Sequence, residues 1–186
     1  MKREIVIFGH PALRRRATGV DCVDAARKRL ADDMLETMYE ANGLGLAAQQ
    51  VDETQALCVV DVPDELDVLV RDGPRLNPAV AMPLIMFNPE IVARAGSEAL
   101  TDEGCLSFPK MYAPVLRAGV VTVRFVNLRG QVQTCEVRGL LARAVQHELD
   151  HLAGVLFVDH VAAADREALD AQLKEMERLG RRKTSQ

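Results

Sequence analysis

The sequence predicts an α+β fold, with antiparallel strands wrapped around a central helix and further helices flanking them near the N- and C-terminal ends. Three observations predict it. Valine-rich runs come in pairs separated by turn residues, apolar residues recur at helical spacing on either side of those runs, and no strand-helix-strand alternation is present. With 186 residues, 48% of them hydrophobic and 27% charged, the chain has the size of one ordinary domain, read as residues 1–180.

The elements follow in order. Met1 to His10 contains four consecutive apolar residues, Ile5 to Phe8, too few for a secretory core or a membrane span, so a cytoplasmic protein is expected. Asp24 is the N-cap of a helix that carries Leu30, Met34 and Met38 on one stripe and closes at Asn42-Gly43. Ala56 to Val62 reads as a strand ended by Pro63. Residues 63–83 are polar and proline-punctuated, a long surface loop that is either a decoration or part of a substrate rim. Leu84 to Phe87 and Ile91 to Ala93 flank Asn88-Pro89, and Val120 to Val126 and Val132 to Val137 flank Asn127-Leu-Arg-Gly130, a loop of hairpin length. Gly139 to His151 has helical spacing. A last helix, from about Asp165 to Leu179, stacks Leu169, Leu173 and Met176 and stops at Gly180, leaving 181–186 as a basic mobile tail.

A formal net charge of −4 excludes a broad nucleic-acid footprint, which needs lysine and arginine to neutralise phosphates. The cysteines, Cys22, Cys58, Cys105 and Cys135, contain no C-x-x-C pair, so neither a disulfide framework nor a zinc knuckle is indicated. Cys22, Cys58 and Cys135 read as small buried hydrophobes.

His147-Glu-Leu-Asp-His151 is an H-E-x-x-H sequence on a predicted helix, which sets two imidazoles one turn apart on one face, with Glu148 beside any ion they share. The plain alternative is a surface helix whose histidines satisfy neighbours. Asp150 is either an outer partner of the site or a solvated acid. A catalytic ion needs a third protein ligand and an open position. The third histidine of the metzincin spacing is excluded, because Phe157 occupies that place although Gly154 matches. Glu175 lies far enough downstream but in a charged helix with no accompanying motif. Cys105, in Glu103-Gly-Cys-Leu-Ser107, sits at a polar-glycine break before a strand, where backbone can approach an ion closely. Gly43-Leu-Gly45-Leu-Ala-Ala48 matches the dinucleotide fingerprint only superficially. It follows a helix, and the few residues before the next strand leave no room for a crossover helix. Alternate glycines there mark a strand that another backbone approaches.

Gly43-Leu-Gly-Leu-Ala-Ala-Gln-Gln50, Glu103-Gly-Cys-Leu-Ser107 and Gln146-His-Glu-Leu-Asp-His151 together resemble, in order and spacing, the three motifs of the peptide deformylases. The likeness extends from Gly9-His-Pro-Ala-Leu-Arg through Gly154-Val-Leu-Phe-Val-Asp159. The resemblance implies metal ligands Cys105, His147 and His151, with Glu148 as acid/base and Gln50 plus the Leu106 N–H as oxyanion donors. It implies substrate backbone pairing along Gly43, Leu44 and Gly45, and hydrolysis of the formyl group from formylmethionine at the start of nascent polypeptides. It also implies one divalent ion, Fe2+ first, with Zn2+, Ni2+ or Co2+ able to take the same ligands. A monomer near ribosomes, with no direct nucleic-acid reading and no membrane partner, completes the expectation. Helical spacing makes Leu140 and Ala144 walls of a methionine pocket. Arg143 departs from the apolar residue expected there, and Tyr112 stands where many relatives carry arginine. Two rivals are a general metallopeptidase, for which H-E-x-x-H suffices, and a noncatalytic metal or peptide binder, against which Glu148 and Gln50 argue.

Overall fold

The computed structural model describes residues 1–183. Five strands form one antiparallel sheet in chain order: β1 Gly45–Ala47, β2 Leu57–Val60, β3 Leu84–Cys105, β4 Phe108–Val126 and β5 Val132–Arg138. Three helices accompany them, α1 Ala25–Glu40, α2 Gly139–Ala153 and α3 Ala163–Lys183. The α+β expectation holds: α2 touches all five strands, and the sheet curls around it.

β2 explains the layering. Its pleat turns Cys58 and Val60 toward α2, where they meet Leu141 and Val145, and Leu57 and Val59 toward α1, where they meet Leu30, Met34 and Met38. A strand buried on both faces must be continuously apolar, as this one is. Met34 and Met38 are fully buried, and each contributes about 1.5–3 kcal/mol by leaving water, which fastens α1 to the sheet. Asp24 caps α1 through the Arg27 N–H, and Asn42 takes the left-handed conformation just beyond the helix end. A third cluster joins Leu13, Phe108, Leu156 and Phe157 to Leu173 of α3.

Several boundaries differ from expectation. Asn88-Pro89 is a bulge inside β3 and not a turn. Asn88, at φ +49°, bonds the N–H and C=O of Val20 through its side chain, and the β3–β4 register shifts there. Glu103-Gly-Cys105 precedes a strand as expected but is itself the end of another, β3, and the chain reverses at Leu106-Ser107 into β4. α3 continues through Gly180, where a side chain would strike the Phe8 carbonyl at 2.2 Å, so this glycine lets the N-terminal segment lie against the helix and is not a helix stop. The expected tail therefore begins as helix, and Thr184 to Gln186 lie outside the described residues. Cys58 is buried as expected, Cys135 is partly buried and Cys22 is exposed.

The 63–83 loop is organised by buried Asp67, which accepts from the Asn77 N–H, the Asn77 amide and Arg75. Asn77 in turn exchanges hydrogen bonds with the Arg138 backbone, so the loop clamps the junction where β5 becomes α2. None of its residues lines the cleft that holds Cys105, His147 and Glu148.

Candidate metal centre and active site

The cleft lies between β1, the turn after β3 and the exposed edge of α2, and its lining includes Gly43, Leu44, Gly45, Gln50, Cys105, Leu106, Leu140, Ala144, His147 and Glu148. Those positions come from three distant segments, and the sheet brings them together. His151 is the exception, buried just behind the lining at 1% exposure.

On α2 the i, i+4 spacing stacks His147 and His151 with ring centroids 5.0 Å apart. The turn after β3 carries Cys105 toward them, with its Sγ 3.3 Å from His151 Nε2. One ligand atom from each of Cys105, His147 and His151 falls within 4.8 Å of the others. His147 Nδ1 lies 3.1 Å from Glu103 Oε2. A carboxylate only accepts, so Nδ1 carries the proton and the Nε2 lone pair is left for an ion. One thiolate with two imidazoles suits zinc, iron, nickel or cobalt better than magnesium or calcium. The donor set therefore fits a divalent transition metal. Glu175 is elsewhere, ion-paired with Arg178 on α3.

Gln50 is buried at the start of the same wall. Its Oε1 accepts the Ala47 N–H at 2.8 Å, which fixes the amide so that Nε2 points toward Ser107 Oγ, 3.3 Å away, and Cys105 Sγ, 3.4 Å away. A donor is thereby aimed at the cysteine side of the cleft. Glu148 is 3% exposed, and its Oε2 has no hydrogen-bond partner. Burial pushes its carboxyl up to about 7; His147 opposes the rise, and the charges of Glu103 and Asp150 add to it. Such a group exchanges a proton near neutral pH.

Glu103 carries more of the site than its place in the sequence suggests. Its carboxylate accepts from Arg117 Nε at 2.9 Å, Arg117 Nη2 at 3.0 Å, Arg143 Nη1 at 2.7 Å and His147 Nδ1 at 3.1 Å. Burial works against the anion, but the hydrogen bonds from His147 and Arg117 outweigh it and hold Glu103 down to about 2. Arg143, the departure beside the pocket, is thus occupied by Glu103 and by the carbonyls of Val115 and Ala99. Asp150 is an outer partner: it pairs with Arg117 and His160. Sequence reasoning missed Glu103 and Arg117. The available signal was an acid two residues before a candidate ligand. Tyr112, 66% exposed, crosses over Gly104 at the rim of the cleft.

Gly45 leaves no room for a side chain beside Glu148: a Cβ there would lie 2.2 Å from Glu148 Oε1. Gly45→Ala should therefore displace the carboxylate and lower turnover by ~10-fold or more, since misplacing a reacting group by about 1 Å is costly. Thermal midpoint and ion content should change little, because the displaced group is a side-chain end. Unchanged steady-state turnover in Gly45→Ala would refute this placement of Glu148.

The model of the family described as polypeptide deformylase matches residues 2–167. A peptide deformylase from Nitrosococcus oceani is 42% identical over 175 residues, covering 94% of this chain and 96% of that one. One from Opitutus terrae is 42% identical over 184 residues, covering 97% and 96%. Among solved structures, a peptide deformylase from Ehrlichia chaffeensis superposes with a TM-score of 0.83 at 32% identity, covering 96% of this chain and 98% of that one. One from Synechococcus elongatus gives 0.78 at 39% identity, covering 91% and 87%. With the family model spanning nearly the whole chain and full-length relatives above 40% identity, this chain belongs to the polypeptide deformylases.

Proposed function

We propose that the chain carries out its family's reaction, metal-dependent removal of the formyl group from the formylmethionine of nascent polypeptides, through Cys105, His147 and His151 as ligands. The observation that carries this assignment is the convergence of three ligand atoms beside a buried carboxylate whose proton affinity is tuned to neutrality. An ion held by those residues would supply a Lewis acid that makes a water acidic enough to lose a proton near pH 7 and polarises the formyl carbonyl.

The chain's own groups do the rest. Glu148 takes the proton of the attacking water and returns it to the leaving amine. The Gln50 amide, fixed by Ala47, and the Leu106 N–H donate to the oxyanion that develops at the formyl carbon. Gly43, Leu44 and Gly45 pair with the substrate backbone as an added strand, and Leu140 and Ala144 hold the methionine side chain. Residues 1–180 act as one catalytic domain. Iron(II) is the resident ion in this reading, and the protein is a cytoplasmic monomer that meets nascent chains at the ribosome. No helix among the described residues is long and apolar enough to cross a membrane.

The test is formate release from formyl-Met-Ala-Ser by anaerobically purified protein, with metal content assayed on the same sample. Turnover by protein holding one ion supports the reading, and a full complement of metal without turnover sinks it. The pH profile adds a second check. Glu148 must be ionised to accept a proton, so kcat/KM should fall as pH drops through its pKa. A neighbouring cation favours the carboxylate and places that limb at or below about 7. A limb well above 7 would assign the base to another group.

A further inference from the structure

We propose that His160 is a positioning residue for the metal centre, acting through a relay of side chains that runs from His160 to Asp150, Arg117, Glu103 and His147. The inference rests on the ligand assignment above and extends it outward.

Each step is a short contact. His160 Nε2 donates to Asp150 Oδ2 at 2.8 Å, and Arg117 Nη1 donates to that same oxygen at 2.5 Å. Arg117 gives its other two nitrogens to Glu103, and Glu103 Oε2 accepts from His147 Nδ1. Arg117 is 6% exposed and Glu103 5%, so the middle of the relay is screened from water, whereas the His160 side chain is 38% exposed and forms its outer end. The guanidinium thus stands between two carboxylates, and the donors on Asp150 determine how squarely it faces Glu103. A charge-assisted network of this kind is worth more than its separate pairs, because each bond polarises the next.

The backbone beneath His160 makes the bond dependable. His160 closes the single 3-10 turn Phe157–Asp159, its N–H bonded to the Phe157 carbonyl at 3.0 Å. That turn is anchored at both ends: Phe157 packs on Phe108 and against the His147 ring, and Asp159 pairs with Arg14. Little conformational freedom remains to be lost when the imidazole reaches Asp150. The turn follows Gly154, the left-handed residue that ends α2, so the bond also ties the returning chain to the catalytic helix.

The test follows ion loss to a chelator from the loaded holoenzyme, in the wild type and in His160→Leu, His160→Gln and His160→Ala, with Cys105→Ala as the ligand control. His160→Leu and His160→Ala should release the ion about three- to tenfold faster, less than the ~10–100-fold typical of a direct partner of a ligand. His160→Gln keeps an N–H donor and should release it at the wild-type rate. In His160→Leu and His160→Ala kcat should fall with KM unchanged, and in His160→Gln both should stay at the wild-type values. Wild-type release from both His160→Leu and His160→Ala, or equal acceleration in His160→Gln, overturns the inference, since a merely space-filling residue would not be rescued by a donor. Should His160→Leu fail to fold, His160→Ala against His160→Gln decides the same question. A wild type whose ion content is indifferent to Cys105→Ala overturns the ligand assignment and this inference together. Equal release rates in a protein whose ion depends on Cys105 overturn this inference alone.

Discussion

Glu148→Ala should lose formate release by ~10²–10⁴-fold while retaining a full complement of metal, the range over which a positioned acid/base contributes. The separation of the two readouts comes from geometry. Cys105, His147 and His151 take their hydrogen bonds from Gln50, Glu103 and one another and not from Glu148, so the ligand set survives its removal. In the ion-free protein stability should not fall and should rise at neutral pH and above. The Glu148 carboxyl is 3% exposed, its Oε2 has no partner, and its folded pKa of about 7 lies above the ordinary 4.5. A carboxyl whose pKa is raised on folding favours the folded state when protonated; that preference is lost as pH rises through the folded value, so the ionised group costs stability above about 7. Removing it relieves that cost. Activity assays, metal analysis and thermal unfolding at pH 6 and 8 check the three statements together. A Glu148→Ala protein that turns over normally with its ion in place would show that another group moves the proton.

The parts of this molecule readable from sequence are those whose reason is local. The α1 stripe of Leu30, Met34 and Met38 follows from helical period, Asp24 from capping chemistry, and the H-E-x-x-H pair from the geometry of one turn. Asn88-Pro89 misled because asparagine and proline serve turns and bulges alike. What made it a bulge was the bond between the Asn88 side chain and the Val20 backbone, a contact across 68 residues. The length of the β3–β4 hairpin was hidden for a different reason. From Val92 to Asp102 β3 is exposed on both faces and shows no alternation to read. Glu103 escaped because its role exists only in three dimensions, with partners 14, 40 and 44 residues away. The two candidate ligand histidines announce themselves in five residues; the carboxylate bonded to one of them does not.

That carboxylate is where the largest effect on the fold is expected. Glu103→Gln replaces an anion with a group that accepts on one side and donates on the other. If the amide nitrogen takes the Oε1 place, it faces Arg117 Nε and Arg143 Nη1; if it takes the Oε2 place, it faces Arg117 Nη2 and His147 Nδ1. Either way donors oppose a donor, and two arginines lose the charge that held them in a buried position. Breaking a buried ion pair from one side typically costs about 3–5 kcal/mol. The pH dependence points the same way. Glu103 is held at about 2 against an ordinary 4.5, so its contribution is fully present above about 4.5 and is lost as pH falls toward 2. A shift of that size corresponds to on the order of 3 kcal/mol. Ion binding should weaken as well when the amide nitrogen takes the Oε2 place, because a donor opposite His147 Nδ1 favours the tautomer that carries its proton on Nε2, the nitrogen the ion needs. Urea unfolding at pH 7 and pH 3, with ion content measured at pH 7, tests both consequences. The wild type should lose at pH 3 much of its advantage over Glu103→Gln. A mutant that unfolds within about 0.5 kcal/mol of the wild type at pH 7, a gap inside the surface range of single substitutions, and binds the ion equally well would mean that packing against Phe157, and not Glu103, holds His147 in place.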